Sequence, residues 1–248
     1  MDLEDWRGIA ETAIRDHGAQ HNPVELGALL HLMEGHAVGI TLEIGAARGG
    51  SAWAWSQVPS VRKIVTVDAR PRPGLREVLA DLPCEAILIE GDSTVPSTWL
   101  AVEAALDGEA ADAVVIDGGH DYATVRRDWF WYGQMCRAEG MVIFHDTQDR
   151  PGTQVRRLFS QVREWRTLEI SAGPLAMGAG IAWVPRGLPD ARLAQRGRRR
   201  RYYGFQHRQL DRAVHSAGHQ RVHADSRVRG VQDHPDRGGT IGQLQPLC

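Results

Sequence analysis

Cysteine is scarce. Three residues, Cys84, Cys136 and Cys248, are scattered over the chain without metal-binding spacing, and three cannot all pair within one molecule. A disulfide framework and a zinc ribbon are excluded, and a reducing, cytoplasmic setting is the expectation. Long apolar runs are missing as well. No stretch approaches the ~18–20 uninterrupted apolar residues of a membrane helix. The first residues, Met1-Asp2-Leu3-Glu4-Asp5, are acidic and lack the apolar segment of a secretory leader. Lysine is almost absent: Lys63 stands alone among 29 basic residues. That bias fits GC-rich coding and carries no functional information.

What is present describes a globular chain with a tail. Apolar residues make up 42% and charged residues 24%, the balance of a protein with a buried core. The 248 residues suffice for one well-buried domain and an appendage. Charge is uneven. Residues 187–248 hold 12 Arg against 5 Asp, so about +7, which leaves about −9 on the rest of a chain whose net charge is −2. In that tail periodicity collapses, and Arg196 to Arg201 is broken only by Gly197. Tyr202, Tyr203 and Phe205 are its only aromatic company, too few for a nucleic-acid surface. The tail reads as a solvated, disordered segment.

Before the tail, strand-like and helix-like segments alternate. Asn22-Pro23 starts a helix whose apolar stripe is Leu26, Leu29, Leu30 and Met33. Strands are expected at 39–44, 63–68, 86–90, 113–117 and 140–144, with helices at 51–57, 74–82, 97–106, 122–136 and 152–165. The strands are apolar runs, as in a parallel sheet covered on both faces. Two further short strands, 167–170 and 180–184, flank a Gly/Pro-containing segment, which suggests a terminal antiparallel hairpin or an ordered binding loop. The expected fold is α/β and Rossmann-like: a doubly wound, mostly parallel sheet with a terminal antiparallel hairpin. Residues 1–19 form an N-terminal helical extension, 20–186 the domain and 187–248 the tail.

The chemistry clusters after the strands. Glu43-x-Gly45-x-Ala47-x-Gly49, followed by Gly50 and Ser51, lies between a strand and a helix. Ala47 stands where a dinucleotide fingerprint places its middle glycine, the residue that makes room for a pyrophosphate, so NAD is disfavoured. Asp68 ends the second strand, where an acid accepts from both ribose hydroxyls. Asp92 and Ser93 follow the third strand; Asp92 is placed to accept from an adenine amino group, or simply to form a turn. Asp117 and His120 follow the fourth strand, and His145 and Asp146 the fifth. In open α/β sheets such groups converge at the carboxyl edge. Asp117 and Asp146 offer hard oxygens suited to Mg²⁺, and the histidines offer nitrogen suited to Mn²⁺, Fe²⁺ or Zn²⁺. A histidine there could instead be a general base or brace a loop.

Three segments, Leu42 to Ser51, Val115 to Tyr122 and Val142 to Thr147, resemble the class I methyltransferases of family 24. That group includes macrolide-sugar O-methyltransferases and cephalosporin-hydroxylase-like proteins. The resemblance, over roughly residues 20–186, implies S-adenosylmethionine (SAM) as cofactor. It places Glu43, Gly45, Ala47, Arg48, Gly49 and Ser51 at the methionine end, Asp68 at the ribose and Asp92 and Ser93 beside adenine. Asp117 would also face the cofactor. It implies a divalent ion, Mg²⁺ or Mn²⁺, on Asp117, His145 and Asp146, with Asp117, His120 and His145 catalytic. His145 departs from the acid or amide that many metal-dependent relatives carry there. The expected activity is SAM-dependent O-methylation of a hydroxyl on a sugar or small molecule. No membrane partner is expected, and homo-oligomerisation is left open. The competing readings are a non-catalytic cofactor-binding module whose basic tail docks on a polyanion, and an NAD-dependent or hydroxylase-like oxidoreductase.

Overall fold

The computed structural model describes residues 1–186 apart from 163, 164, 174 and 175. The tail expected at 187–248 lies outside the described residues.

Two helices open the chain. Helix α1 (Leu3–His17) begins with a capping box in which the Asp2 side chain accepts from the Asp5 N–H and the Asp5 side chain accepts from the Asp2 N–H. Helix α2 (Pro23–Gly35) begins as expected: the Asn22 side chain accepts from Val24 and Glu25, and Pro23 takes the first helical position. The predicted stripe, Leu26, Leu29, Leu30 and Met33, is buried throughout. Helix α1 contributes Trp6, Ala10 and Ala13 to the same core.

Seven strands follow: β1 (Ile40–Ile44), β2 (Lys63–Asp68), β3 (Glu85–Glu90), β4 (Ala111–Ile116), β5 (Cys136–His145), β6 (Arg166–Ile170) and β7 (Ala179–Trp183). They are ordered β3-β2-β1-β4-β5-β7-β6. The first five pair in parallel, and β7 lies antiparallel between β5 and β6. Five helices connect or follow the strands: α3 (Gly50–Ser56), α4 (Leu75–Ala80), α5 (Pro96–Ala105), α6 (Tyr122–Tyr132) and α7 (Val155–Phe159). Alternate strand residues feed two apolar layers. In β4, Ala113 and Val115 join the layer of α1–α4, and Val114 and Ile116 join that of α5–α7. The Rossmann-like sheet and its antiparallel end are therefore as expected.

Two helix boundaries differ from the sequence expectation. The helix from Tyr122 stops at Tyr132, passes through a single 3₁₀ turn, Gly133–Met135, and Cys136 already belongs to β5. The helix expected over 152–165 is only Val155–Phe159. Gly152 sits at φ +90°, a left-handed backbone that cannot join a right-handed helix. In all, no helix among the described residues is long and apolar enough to cross a membrane.

Candidate active site

The carboxyl ends of β1, β2, β3, β4 and β5 open into one cleft of about 720 Å³, within the size range of small-molecule sites. Its near wall is the turn after β1. The Gly45 N–H donates to the Val67 carbonyl, and the Asp117 N–H donates to the Ile44 carbonyl, so three strand ends are tied together. Gly45 has φ +102°, and a Cβ there would stand 2.2 Å from the Asp117 carbonyl oxygen. No other residue fits. At Gly50 an added Cβ would stand 2.3 Å from the Ala19 nitrogen, so α3 begins directly against the α1–α2 connection. That close approach carries Gly18 to His21 onto the cleft wall.

Asp68 organises the turn. Its Oδ2 accepts from the Ala46 and Ala47 N–H groups at 3.1 and 2.8 Å, and its Oδ1 from Arg70. Ala47, held at φ +48°, is a non-glycine residue in left-handed backbone. Ala47, Arg48, Ser51, Asp68, Asp92 and Ser93 all line the cleft. Asp92 also forms a tight turn, accepting from the N–H and hydroxyl of Thr94, and these bonds hold its carboxyl below the usual range. Glu43 and Gly49 do not reach the cleft. Glu43 is buried beneath it and accepts from Trp55 Nε1 and Thr66 Oγ1, both at 2.9 Å. Burial pushes its carboxyl up, against the hydrogen bonds of Ser51, Trp55 and Thr66. Gly49 instead lets the turn pack on Leu75 and Val78 of α4.

At the other end of the cleft the four expected side chains meet. Asp117 Oδ1 lies 3.0 Å from His145 Nδ1. His120 Nε2 lies 2.8 Å from Asp146 Oδ2 and 3.7 Å from Asp117 Oδ1. Asp146 has φ +60°, again left-handed. Such backbone persists where the surrounding structure enforces it, and it clusters at functional sites. Burial works against both acid charges, yet the histidines hold Asp117 and Asp146 below their ordinary values. Asp117 and Asp146 in turn push His120 up to about 10. Burial lowers His145, but Asp117 outweighs it and the net direction is upward.

A fifth group was not legible in the sequence. His21, from the α1–α2 connection, is buried with its ring centroid 4.2 Å from that of His145. Its Nε2 lies 3.9 Å from Asp117 Oδ2. Burial and the neighbouring His145 drive it down to about 3, so it is neutral. A lone histidine before a helix cap carries no motif; only the Gly50 contact brings it here. Two overlapping groups result, His21/Asp117/His145 and Asp117/His120/Asp146. In each, one donor atom per residue lies within 4.8 Å of the others. Met177 and Arg150 complete this end. The aromatic residues of α6 do not line the cleft. Tyr132 is fully buried, Trp129 packs on Phe144 and Trp165, and with Trp131 they serve the second apolar layer.

Residues 42–147, the strands and turns just described, match a family model described as a methyltransferase domain. Solved structures similar to it include an O-methyltransferase from Bacillus cereus in complex with SAH (TM-score 0.52, 18% identity, covering 73% of this chain and 90% of that one). Another is the O-methyltransferase TomG from Streptomyces achromogenes, involved in tomaymycin synthesis and complexed with SAM (TM-score 0.51, 20% identity, 73% and 90%). A third is the MycE methyltransferase of the mycinamycin biosynthetic pathway, in complex with Mg, SAH and mycinamycin VI (TM-score 0.54, 14% identity, 75% and 56%). This chain thus spans little more than half of MycE. At such identities the likeness is one of fold, and the Rossmann-like fold expected from the sequence is borne out. A search of curated proteins finds no match.

Proposed function

We propose that this chain is a methyltransferase that uses SAM to methylate a hydroxyl group of a sugar or other small molecule, assisted by a divalent metal ion. The observation that carries this reading is the division of one cleft into two chemically different ends. The turn after β1 and Asp68 offer backbone and carboxylate acceptors suited to the amino-acid and ribose parts of the cofactor. Asp117, His120, His145 and Asp146 crowd the other end. Bound SAM would supply an electrophilic methyl group, leaving the protein to align the acceptor and take its proton.

The acidic end fits a cation. His145 Nε2 is buried without a hydrogen-bond partner, and Asp146 Oδ1 has no hydrogen bond, its nearest ion pair being that of Arg150 at 3.5 Å. Two carboxylates in one pocket repel each other, and a cation relieves that cost. Asp117, Asp146 and His145 would hold the ion, whose charge would make an acceptor hydroxyl easier to deprotonate. The similar MycE structure contains Mg. His120 is the most exposed histidine of the group, with 38% of its side chain accessible, and its Nε2 is the atom best placed to receive the acceptor proton. While Asp117 and Asp146 are free they keep His120 charged. Engaging them elsewhere releases Nε2 for proton transfer.

Two measurements test this reading. Calorimetry should show SAM binding and no NAD binding; the reverse result would overturn the cofactor assignment. With an acceptor in hand, excess chelator should abolish transfer, Mg²⁺ or Mn²⁺ should restore it, and Asp146→Asn should lower turnover far more than SAM affinity. Full activity in chelator would remove the metal and leave the methyltransferase.

A further inference from the structure

We propose that His21 is a ligand of the metal site, and that His21, Asp117 and His145 form a two-nitrogen, one-carboxylate set selecting a first-row transition ion over Mg²⁺. This rests on the reading above that the cleft holds a divalent ion. It goes beyond that reading by putting a residue from outside the sheet in the place given there to Asp146, and by naming the class of ion.

The geometry supports a ligand role. The side chain of His21 is only 3% exposed, so it is not a surface group that drifts into the cleft. At 3.9 Å its Nε2 is too far from Asp117 Oδ2 for a hydrogen bond. His145, 4% exposed, meets the same carboxylate through Nδ1 and keeps a buried Nε2 without a hydrogen-bond partner. Two nitrogens and an oxygen bound to one ion at about 2.0–2.2 Å stand roughly 3–3.5 Å apart. Asp117 Oδ1 is already 3.0 Å from His145 Nδ1, and one donor atom from each of His21, Asp117 and His145 lies within 4.8 Å of the others, so side-chain adjustment closes the set. Neighbouring structure pins the histidine: α3 begins against Ala19, and Asn22 caps α2 immediately afterwards.

The donor chemistry selects the ion. Mg²⁺ prefers oxygen ligands and keeps several waters. Imidazole nitrogens favour Mn²⁺, Fe²⁺, Co²⁺ and Zn²⁺, with affinity rising along that series up to copper. A sheet edge with an acid in place of His145 and without His21 would keep His120 as its imidazole beside the carboxylates. This chain places two buried imidazoles against one carboxylate.

The test uses the full chain, stripped with chelator and dialysed, and titrated with Co²⁺ alone while its visible absorption is followed. The expectation is saturable binding at one site that a roughly hundredfold excess of Mg²⁺ fails to displace. His21→Ala and His21→Gln should each change the Co²⁺ spectrum and weaken binding by at least the roughly 10–100-fold that even outer-shell partners contribute. Circular dichroism establishes that each variant is folded, and SAM affinity, read separately by calorimetry, should be unchanged. An unaltered Co²⁺ spectrum and affinity in both variants would overturn the ligand role of His21, and ready displacement by Mg²⁺ would overturn the selectivity. If the wild-type chain binds no Co²⁺, the metal site itself is wrong. SAM binding then still decides the methyltransferase reading on its own.

Discussion

Asp68 and Asp128 show how burial gives two aspartates different work. Asp68 spends its oxygens on backbone N–H groups, so it shapes the turn as well as facing the cleft. Asp68→Ala should therefore weaken SAM binding by about 1.5–3 kcal/mol, the scale of a charged hydrogen bond. Calorimetry checks this, and unchanged affinity would remove Asp68 from the site. Asp128, on α6, is fully buried behind Gly118. Burial raises its pKa from 3.8 to about 7, against the pull of Ser93. The folded chain thus holds a proton that the unfolded chain releases. Its contribution to stability is fully present below about pH 4 and is lost as the pH rises toward 7, by at most about 4 kcal/mol. Asp128→Asn should flatten the pH dependence of unfolding across that window. Parallel profiles for the two proteins would show that Asp128 stays ionised.

At the scale of elements, the β6–β7 connection is held from across the fold. Glu25, buried on the first turn of α2, accepts from the N–H groups of Ala172, Met177 and Gly178. Asn22 Nδ2 adds a bond to the Ala172 carbonyl. Glu25→Ala strips three backbone donors of their acceptor at once. It should destabilise the protein by about 3 kcal/mol or more and speed amide exchange at those three positions, which mass spectrometry can localise. Exchange as slow as in the wild type would show that the connection holds itself. This tie also marks where sequence reading ends. Strands such as β4 and β5 were legible because a buried parallel strand needs an unbroken apolar run. The turn after β1 was legible because its glycines are forced, and Asp117, His120, His145 and Asp146 because each directly follows a strand. His21 and Glu25 act across 96 and 152 residues, on Asp117 and on Met177, and a local pattern holds no trace of such distances. Glu43 shows a related limit: the motif fixed its position beside the turn, but not that its side chain lies buried on Trp55 and Thr66.

For the molecule as a whole, the seven strands of the described residues all precede the basic segment. Strand β7 ends at Trp183, and the next residues close the edge: the Val184 N–H donates to the Gly140 carbonyl, and the Glu139 N–H donates to the Val184 carbonyl. Arg186 pairs with Glu139. Among the described residues, both apolar layers draw on residues up to Val184, and those lining the cleft lie at or before Met177. From the lost periodicity of residues 187–248 and their excess of Arg, the expectation is that neither the fold nor the cofactor site requires them. A chain cut after Arg186 should keep the melting temperature of the full chain within about 2–4 °C, the shift that about 1 kcal/mol makes in a domain of this size. It should also keep its SAM affinity. The melting temperature and calorimetric affinity of the two chains, compared in one buffer, decide the matter. A drop well beyond that range would show that the basic segment packs on the domain. Lost SAM affinity at an unchanged melting temperature would instead place part of that segment over the cleft.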